Sequence, residues 1–464
     1  MSYSQTCQGQ TFVFGSVKEV LAKANEEKSG DKLAGIAAAS ELERVAAKAV
    51  LAELTLSELR NQPVIAPEED EVSRLIDEKL DAQIWQRIKG WTVAELREFL
   101  LGGTESETLN CRTIGAGLTG EMAAAVAKLM SNMDLVRAAK KCRVVAKANT
   151  TLGLDGVLGA RLQPNHPADS QQGILTSIYE GLSYGVGDAV IGINPAYDDA
   201  ESVERLLHTT DELIRALGVP TQNCILSHVT TQMKAIERGA PAGLIFQSIA
   251  GCQQGNTAFG ITLDMLKEAW QLGKDKCYNA GERCMYFETG QGSELSSNTH
   301  NGADQLTLEA RCYAMARHFQ PFLVNDVVGF IGPEYLADGR QMIRAGLEDH
   351  FMGKLLGLPM GIDACYTNHM DADQNDLENL TVLLVAAGVN YFMGVPMGDD
   401  VMLSYQTTSF HDIACLRELM GCRPAPEFEQ WLEENGIMED GRLTALAGDL
   451  TYVHSLRKAK AGKH

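Results

Sequence analysis

Glu288 closes a short apolar run, Met285-Tyr286-Phe287, and a glycine-rich loop, Thr289-Gly290-Gln291-Gly292-Ser293, follows at once. A carboxylate at the end of a buried run is placed to bind a cation or move a proton. Glycine beside it lets the backbone approach a bulky ligand closely. The alternative is a buried strand, a turn and a solvated acid. A second acid, Asp363, ends another apolar run at residues 360–363. Two acids facing one cavity could hold an ammonium group or exchange its proton. Arg161 and Gln163 stand two apart in Ala160-Arg161-Leu162-Gln163-Pro164-Asn165, so in extended chain they face the same way. Arg161 could donate to an oxygen, while Gln163 and Asn194 could orient a small polar molecule. An amine at one end and a hydroxyl at the other would suit this set.

These residues must be positioned by regular elements. From about residue 140, short apolar runs alternate with segments of helical period. Strands are predicted at 144–149, 189–194, 224–228, 244–248, 285–288, 322–327, 360–363 and 390–393. Helices are predicted at 171–184, 201–217, 232–238, 261–273, 303–318, 339–351, 374–387 and 411–420. Eight alternations predict an α/β (β/α)8 barrel. A doubly wound open sheet shows the same alternation, but the count of eight favours the barrel, and no GxGxxG follows the first strand. Barrel chemistry sits at the carboxyl ends of the strands. Those ends carry Asn149, Asn194, His228, Gln247 with Ser248, Glu288, Asn325 and Asp363. The long loop at 152–170 carries Arg161 and Gln163, and such loops are usually functional.

Residues 1–110 read as a helical region for packing and assembly, with capping-box pairs Ser40/Glu43, Thr55/Glu58 and Thr92/Glu95. An alanine-rich stretch at 32–54 and an acidic helix at 68–89 belong to it. Residues 111–430 form the barrel with the active site, and 431–464 a C-terminal helix and tail. The 464 residues are 45% hydrophobic, enough for a large core. Net charge is −21, from 40 basic and 61 acidic residues. That argues against a nucleic-acid or acidic-membrane partner and is compatible with a small cation. No apolar run reaches membrane-spanning length, and the N-terminus lacks a signal-peptide pattern. Eleven cysteines are scattered singly without a CxxC pair, most in apolar surroundings as for Cys224 and Cys415. This is the usage of a cytoplasmic protein, with no disulfide framework and no zinc site.

Other motifs compete. Asp371-Ala372-Asp373-Gln374-Asn375-Asp376 resembles the start of a calcium loop, but its sixth position is Asp rather than Gly, so it is read as a helix cap. His369 nearby lacks metal-ligand spacing, and no metal site is expected. Lys147 on the first predicted strand could form a Schiff base, as in an aldolase, although a lysine there is more often a salt-bridge partner. Glu348-Asp349-His350-Phe351-Met352-Gly353 resembles the DxHxxG motif of base-off cobalamin proteins, but it ends a predicted helix and is read as a chance match.

Several long stretches together resemble one family. ANTTLG (148–153), ARLQPN (160–165), YEGLSYGVGDAVIGINP (179–195), SHVTTQ (227–232), RGAPAGLIFQSIAG (238–251), YFETGQGSELS (286–296), VVGFIGPEYL (327–336), CYTNHMDADQN (365–375) and YQTTSFHD (405–412) are similar to the ethanolamine ammonia-lyase large subunits. The resemblance weakens before residue 10 and after about 447. It implies a (β/α)8 barrel with adenosylcobalamin over its mouth, converting ethanolamine to acetaldehyde and ammonia by radical amino migration. On matching positions it implies that Arg161 and Asn194 hold the substrate hydroxyl. Gln163, Glu288 and Asp363 would hold the ammonium group, and Phe330 would pack beside the substrate. Glu288, Arg161 and Asp363 would be the catalytic residues. Pro195, Gln247, Ser248, Ser296 and Met402 would contact the cofactor. Ala258 departs from the family, which carries a glutamate there that meets the adenosyl ribose. The resemblance further implies a small subunit as partner, a homodimer of this chain within a larger hetero-oligomer, and residence in a bacterial microcompartment.

Overall fold

Eight parallel strands form the centre of the computed structural model, which describes residues 2–103, 105–279 and 283–461. They are β1 (Gly159–Leu162), β2 (Val190–Ile193), β3 (Asn223–Ile225), β4 (Ile245–Ser248), β5 (Met285–Thr289), β6 (Leu323–Gly329), β7 (Met360–Thr367) and β8 (Tyr391–Gly394). Each pairs with its sequence neighbour except β3 with β4, and β8 returns to pair with β1. Between β3 and β4 the ring narrows to a bond from the Leu244 amide to the Asn223 carbonyl, 3.1 Å. The result is a nearly closed barrel. Its strands are buried on both faces, which is why they read as continuous apolar runs.

Eight helices surround the strands: α1 (Gln171–Ser183), α2 (Ala200–Leu217), α3 (Val229–Glu237), α4 (Leu263–Lys276), α5 (Gln305–Ala316), α6 (Gly339–Leu355), α7 (Gln374–Ala386) and α8 (Phe410–Met420). Side-chain caps set many of their starts. Asp373 and Asp376 form a capping box at α7, so the calcium-like run is a helix cap. The Glu348-Asp349-His350 run lies inside α6 and is fully buried. The barrel floor is aromatic: Phe246 and Tyr286 meet edge to face at 5.5 Å. Gly361 is required beside Tyr391, because a Cβ there would lie 2.0 Å from the tyrosine ring.

Three expectations are corrected. The first barrel strand is Gly159–Leu162, not 144–149. Ala146–Lys147 instead pairs antiparallel with Thr151–Leu152. That hairpin sits at the amino ends of the strands: the Asn149 amide donates to Gln222 Oε1 (3.1 Å) and Thr150 Oγ1 to the Asp188 carbonyl (2.6 Å), both just before strands. Arg161 therefore lies on a strand, and Asn149 lies at the opposite end from the other polar strand ends. Second, the chain opens with a β-hairpin, Tyr3–Cys7 with Gln10–Phe14, before the helices begin. Its turn, Gln8-Gly9, has positive φ at both residues (48° and 80°), as a tight two-residue hairpin requires. Third, the acidic helix at 68–89 is two helices, Glu71–Glu78 and Ala82–Ile88.

The predicted caps at Ser40, Thr55 and Thr92 all form, the latter two as reciprocal boxes. The N-terminal helices share one continuous core with the barrel. Buried ion pairs join them: Arg311 on α5 meets Asp70 (2.9 Å) and Glu121 (2.6 Å), and Lys28 meets Glu348 on α6 (2.8 Å). Beyond α8 come a helix (Pro426–Glu434), a short hairpin and a last helix (Leu450–Ala461), while 462–464 lie outside the described residues. Among the described residues no helix is long and apolar enough to cross a membrane.

Candidate functional site

Alternation along parallel strands decides what faces the barrel interior. Glu288 on β5 lies in register with Ser248 on β4 and Asn325 on β6. Asp363 on β7 lies opposite Val327, two residues beyond Asn325, so it faces inward as well. On β1, Arg161 is opposite Val190 of β2 and Met393 of β8. Arg161, Ser248, Glu288 and Asp363 line a cavity of about 390 Å³ at the carboxyl ends of the strands, together with Gln163, Asn194 and Phe330. A mouth at this end is where such barrels do chemistry.

Arg161 is the hub and is 1% exposed. Its Nη1 donates to Glu288 Oε1 (2.5 Å) and to the Tyr286 hydroxyl (2.6 Å), and its Nη2 donates to Gln163 Oε1. Glu288 Oε1 also accepts from Tyr286 and from Asn325 Nδ2 (3.3 Å). Burial works against the charge on Arg161, yet its neighbours, Tyr286 and Glu288 first among them, hold its pKa above the ordinary range. Asp363 is fully buried and accepts from the Tyr405 hydroxyl (2.9 Å) and from Thr407 Oγ1. Burial pushes its carboxyl up to about 7, and the charge of Glu288 adds to the rise. The bonds from Thr407 and Tyr405 and the guanidinium of Arg161 limit it. A third acid, Asp400, is buried at the rim and accepts from Gln163 Nε2 and from Asn165 Nδ2 (3.1 Å). The guanidinium pairs directly with Glu288 alone, while Asp363 and Asp400 are held by hydroxyls and amides. Such a site favours a cation, and Asp363 can exchange a proton near neutrality.

The residues named from sequence do not all share the cavity wall. Gln247 and Ser248 line it. The Gln247 side-chain carbonyl accepts from the Val229 amide (2.8 Å), and its side-chain amide donates to the Ser248 carbonyl (2.9 Å). Pro195, Ser296 and Met402 stand next to the lining rather than in it, each within three residues of a lining one; Ser296 is exposed. Ala258 is exposed beside Phe259, which does line the cavity. Lys147 is exposed on the hairpin at the far end of the barrel, out of reach of these groups. Among the described residues, no group of three or more His, Cys, Asp or Glu is arranged to hold a metal ion. All eleven cysteines are free, and Cys415 is exposed on α8 rather than in apolar surroundings. Tyr286, Asp400, Tyr405 and Thr407 were not expected. Tyr286 was legible, two residues before Glu288 on one strand face. The other three lie at the end of, or just after, an irregular loop whose folding no periodicity announces.

Around the mouth, the loops leaving β2, β6 and β8 expose apolar side chains: Tyr197, Phe330, Met397, Val401 and Leu403. Exposed apolar residues continuous with a cavity mark a surface that something covers.

Comparison with known proteins places the chain in a family. The chain matches the family model for the ethanolamine ammonia lyase large subunit (EutB) over residues 12–446. It is 58% identical over 449 residues to the ethanolamine ammonia-lyase large subunit of Escherichia coli (strain K12), covering 97% of this chain and 99% of that one. The Salmonella typhimurium (strain LT2) protein of the same name matches at the same identity and coverage. Among solved structures, the HydG maturase of the [FeFe]-hydrogenase superposes at a TM-score of 0.43 with 9% identity, covering 86% of this chain and 93% of that one. The family match spans every residue of the cavity, and the chain therefore belongs to the ethanolamine ammonia-lyase large subunit family.

Proposed function

We propose that this chain is the catalytic large subunit of an adenosylcobalamin-dependent ethanolamine ammonia-lyase, converting ethanolamine to acetaldehyde and ammonia. The observation that carries the reading is the surplus of carboxyl groups around Arg161: Glu288 and Asp363 face a cavity whose described lining holds no second lysine or arginine. The ammonium of ethanolamine is the matching cation. Its nitrogen lies against Glu288, Asp363 and the Gln163 carbonyl, and its hydroxyl oxygen accepts from Arg161 with Asn194 beside it. Arg161 is already held by Glu288, Tyr286 and Gln163, so its donors are aimed before substrate arrives.

The apolar rim supports the cofactor assignment. A flat macrocycle with apolar faces suits the exposed Met397, Val401, Leu403 and Tyr197, and the cavity below has room for an adenosyl group and a small substrate. Gln247 and Ser248 would hold polar groups of the nucleoside, and Pro195, Ser296 and Met402 would touch the cofactor from the rim. When bound, adenosylcobalamin supplies the radical that takes a hydrogen atom from the hydroxyl-bearing carbon. The chain does the rest. Arg161 and Asn194 fix the oxygen. Glu288 accepts from the nitrogen as the amino group migrates, and Asp363, with its carboxyl near 7, takes or returns the proton. Phe330 and Tyr405, whose rings meet at 5.7 Å, keep water from the reacting carbons. The same reading gives this chain a small subunit over the rim, a second copy of itself against the N-terminal helices, and a place in a bacterial microcompartment.

Ammonia release from ethanolamine tests this. The chain with its small subunit and adenosylcobalamin should release ammonia, and omission of either should abolish release. Equal release without adenosylcobalamin, or none with everything present, would overturn the proposal.

A further inference from the structure

Gln163 has an amide whose two ends are chemically distinct but similar in shape, so what fixes its orientation matters. Two neighbours fix it. Arg161 Nη2 can only donate, and it meets Gln163 Oε1. Asp400 Oδ2, as a carboxylate, can only accept, and it meets Gln163 Nε2. The amide therefore keeps its oxygen on the Arg161 side, where Gln163 lines the cavity. That oxygen has a second lone pair to receive an N–H. With the amide reversed, the same position would present N–H groups and repel an ammonium.

Asp400 does more than hold one amide. Its Oδ2 also accepts from Asn165 Nδ2 (3.1 Å), and Asn165 Oδ1 in turn accepts from the Asn194 amide (2.8 Å). Its Oδ1 accepts from the amides of Met402 (2.8 Å) and Leu403 (2.9 Å). Its own amide donates to the carbonyl of Tyr405 (3.1 Å), the residue whose hydroxyl holds Asp363. One buried carboxylate thus ties the segments after β1 and β2 to the loop after β8. Its four accepted bonds all come from groups that a neutral amide in its place could not satisfy together.

We propose that Asp400 is a positioning residue that locks the Gln163 amide with its oxygen toward the substrate, and so sets the site to receive a protonated amine. This rests on the assignment of ethanolamine to the cavity. Asp400 itself need not touch the substrate; it acts through the donor–acceptor order of the chain Arg161, Gln163, Asp400.

That order gives a test by exchange. In Asp400→Asn, the new amide still accepts the Met402 and Leu403 amides on its oxygen, but offers N–H to Gln163. Gln163 must then reverse, turning its N–H toward Arg161 and the substrate. Ethanolamine affinity should fall about ten- to a hundredfold, the scale of one hydrogen bond to a charged group, with a smaller change in kcat. In Gln163→Glu alone, two carboxylates face each other, and affinity should fall as well. In the double variant Gln163→Glu/Asp400→Asn the order along Arg161, 163 and 400 is restored: Arg161 and the new amide at position 400 both donate to a carboxylate at position 163, and only the bond from Asn165 Nδ2 stays unmade. Ethanolamine affinity should recover to within about threefold of wild type, a non-additivity expected only of groups in contact. Two readouts are needed: KM of the enzyme with small subunit and adenosylcobalamin, and Kd by calorimetry on the two-subunit complex without cofactor. Recovery in both supports the proposal, and the melting temperature of each variant shows that it folds. If the wild type binds and turns over ethanolamine but Asp400→Asn matches it, or the double variant is no better than either single one, the positioning role is overturned. A wild type that binds ethanolamine without turnover overturns the lyase reading and leaves the exchange measurable by Kd. A wild type that neither binds nor turns over ethanolamine overturns both.

Discussion

Replacing Glu288 by glutamine keeps the shape of the side chain and removes its charge and its capacity as a base. The geometry sets the size of the effect. Glu288 Oε1 stands 2.5 Å from Arg161 Nη1, with Arg161 1% and the Glu288 side chain 15% exposed. Neutralising one partner of such a pair costs about 3–5 kcal/mol, of which the amide oxygen recovers about 1 kcal/mol by still accepting from Arg161. The pocket should stay folded, because Tyr286 and Asn325 still have an acceptor. Catalysis suffers more directly. The migrating nitrogen loses a charged acceptor and the site loses a proton relay, so kcat/KM should fall at least about a hundredfold, or roughly 2.7 kcal/mol. A second signature follows from Asp363. The Glu288 charge helps raise the Asp363 carboxyl to about 7, so its removal should lower that value, and the acidic limb of residual activity should move to lower pH. The assay is ammonia release against pH, with cofactor retention followed by its absorption spectrum after gel filtration. Cofactor should be retained. Turnover near the wild-type rate would show that Glu288 is only a polar strand cap.

Arg161→Ala should cost about 2–4 kcal/mol in kcat/KM by leaving buried acceptors unmatched, with partial rescue by guanidinium in the ammonia assay. Asp363→Asn should weaken ethanolamine binding and change the pH dependence of stability. A carboxyl raised from its ordinary 3.8 to about 7 favours the folded state fully below pH 3.8 and loses that contribution as pH rises to 7, so the variant should lack this fall in urea midpoints measured across that window. Arg311→Ala leaves Asp70 and Glu121 buried and unpaired where the N-terminal helices meet α5, and should destabilise by about 3–5 kcal/mol in urea without altering KM.

Much of the barrel was legible because its strands are buried on both faces and read as apolar runs separated by helical periods. Seven of the eight strands were placed correctly or within a few residues. The first was not, because β1 is short and carries Arg161 in its middle, whereas 144–149 reads as a cleaner strand but folds as half of a hairpin under the barrel. Glu288, Asp363 and Asn194 were legible as polar ends of apolar strands. Asp400 and Tyr405 were not: Asp400 lies in an irregular loop, and Tyr405 on a two-residue strand, Tyr405–Gln406, set antiparallel to the end of β7 and too short to show a period. Asp326 illustrates the limit further. It follows Asn325 on β6 and so faces the opposite way, fully buried toward the helix layer, where burial and the nearby acids Asp349 and Glu309 push its carboxyl well up. Nothing in the sequence separates these two adjacent polar residues until the strand's orientation is known.

In the proposed site the carboxyl groups around Arg161 receive the ammonium of the substrate and the guanidinium receives its hydroxyl. A crystal structure of the two-subunit complex with ethanolamine tests it most directly. The substrate nitrogen should lie within hydrogen-bond reach of Glu288, Asp363 and Gln163 Oε1, and its oxygen at Arg161 and Asn194. Ethanolamine bound the other way round, or bound outside the cavity, would contradict it.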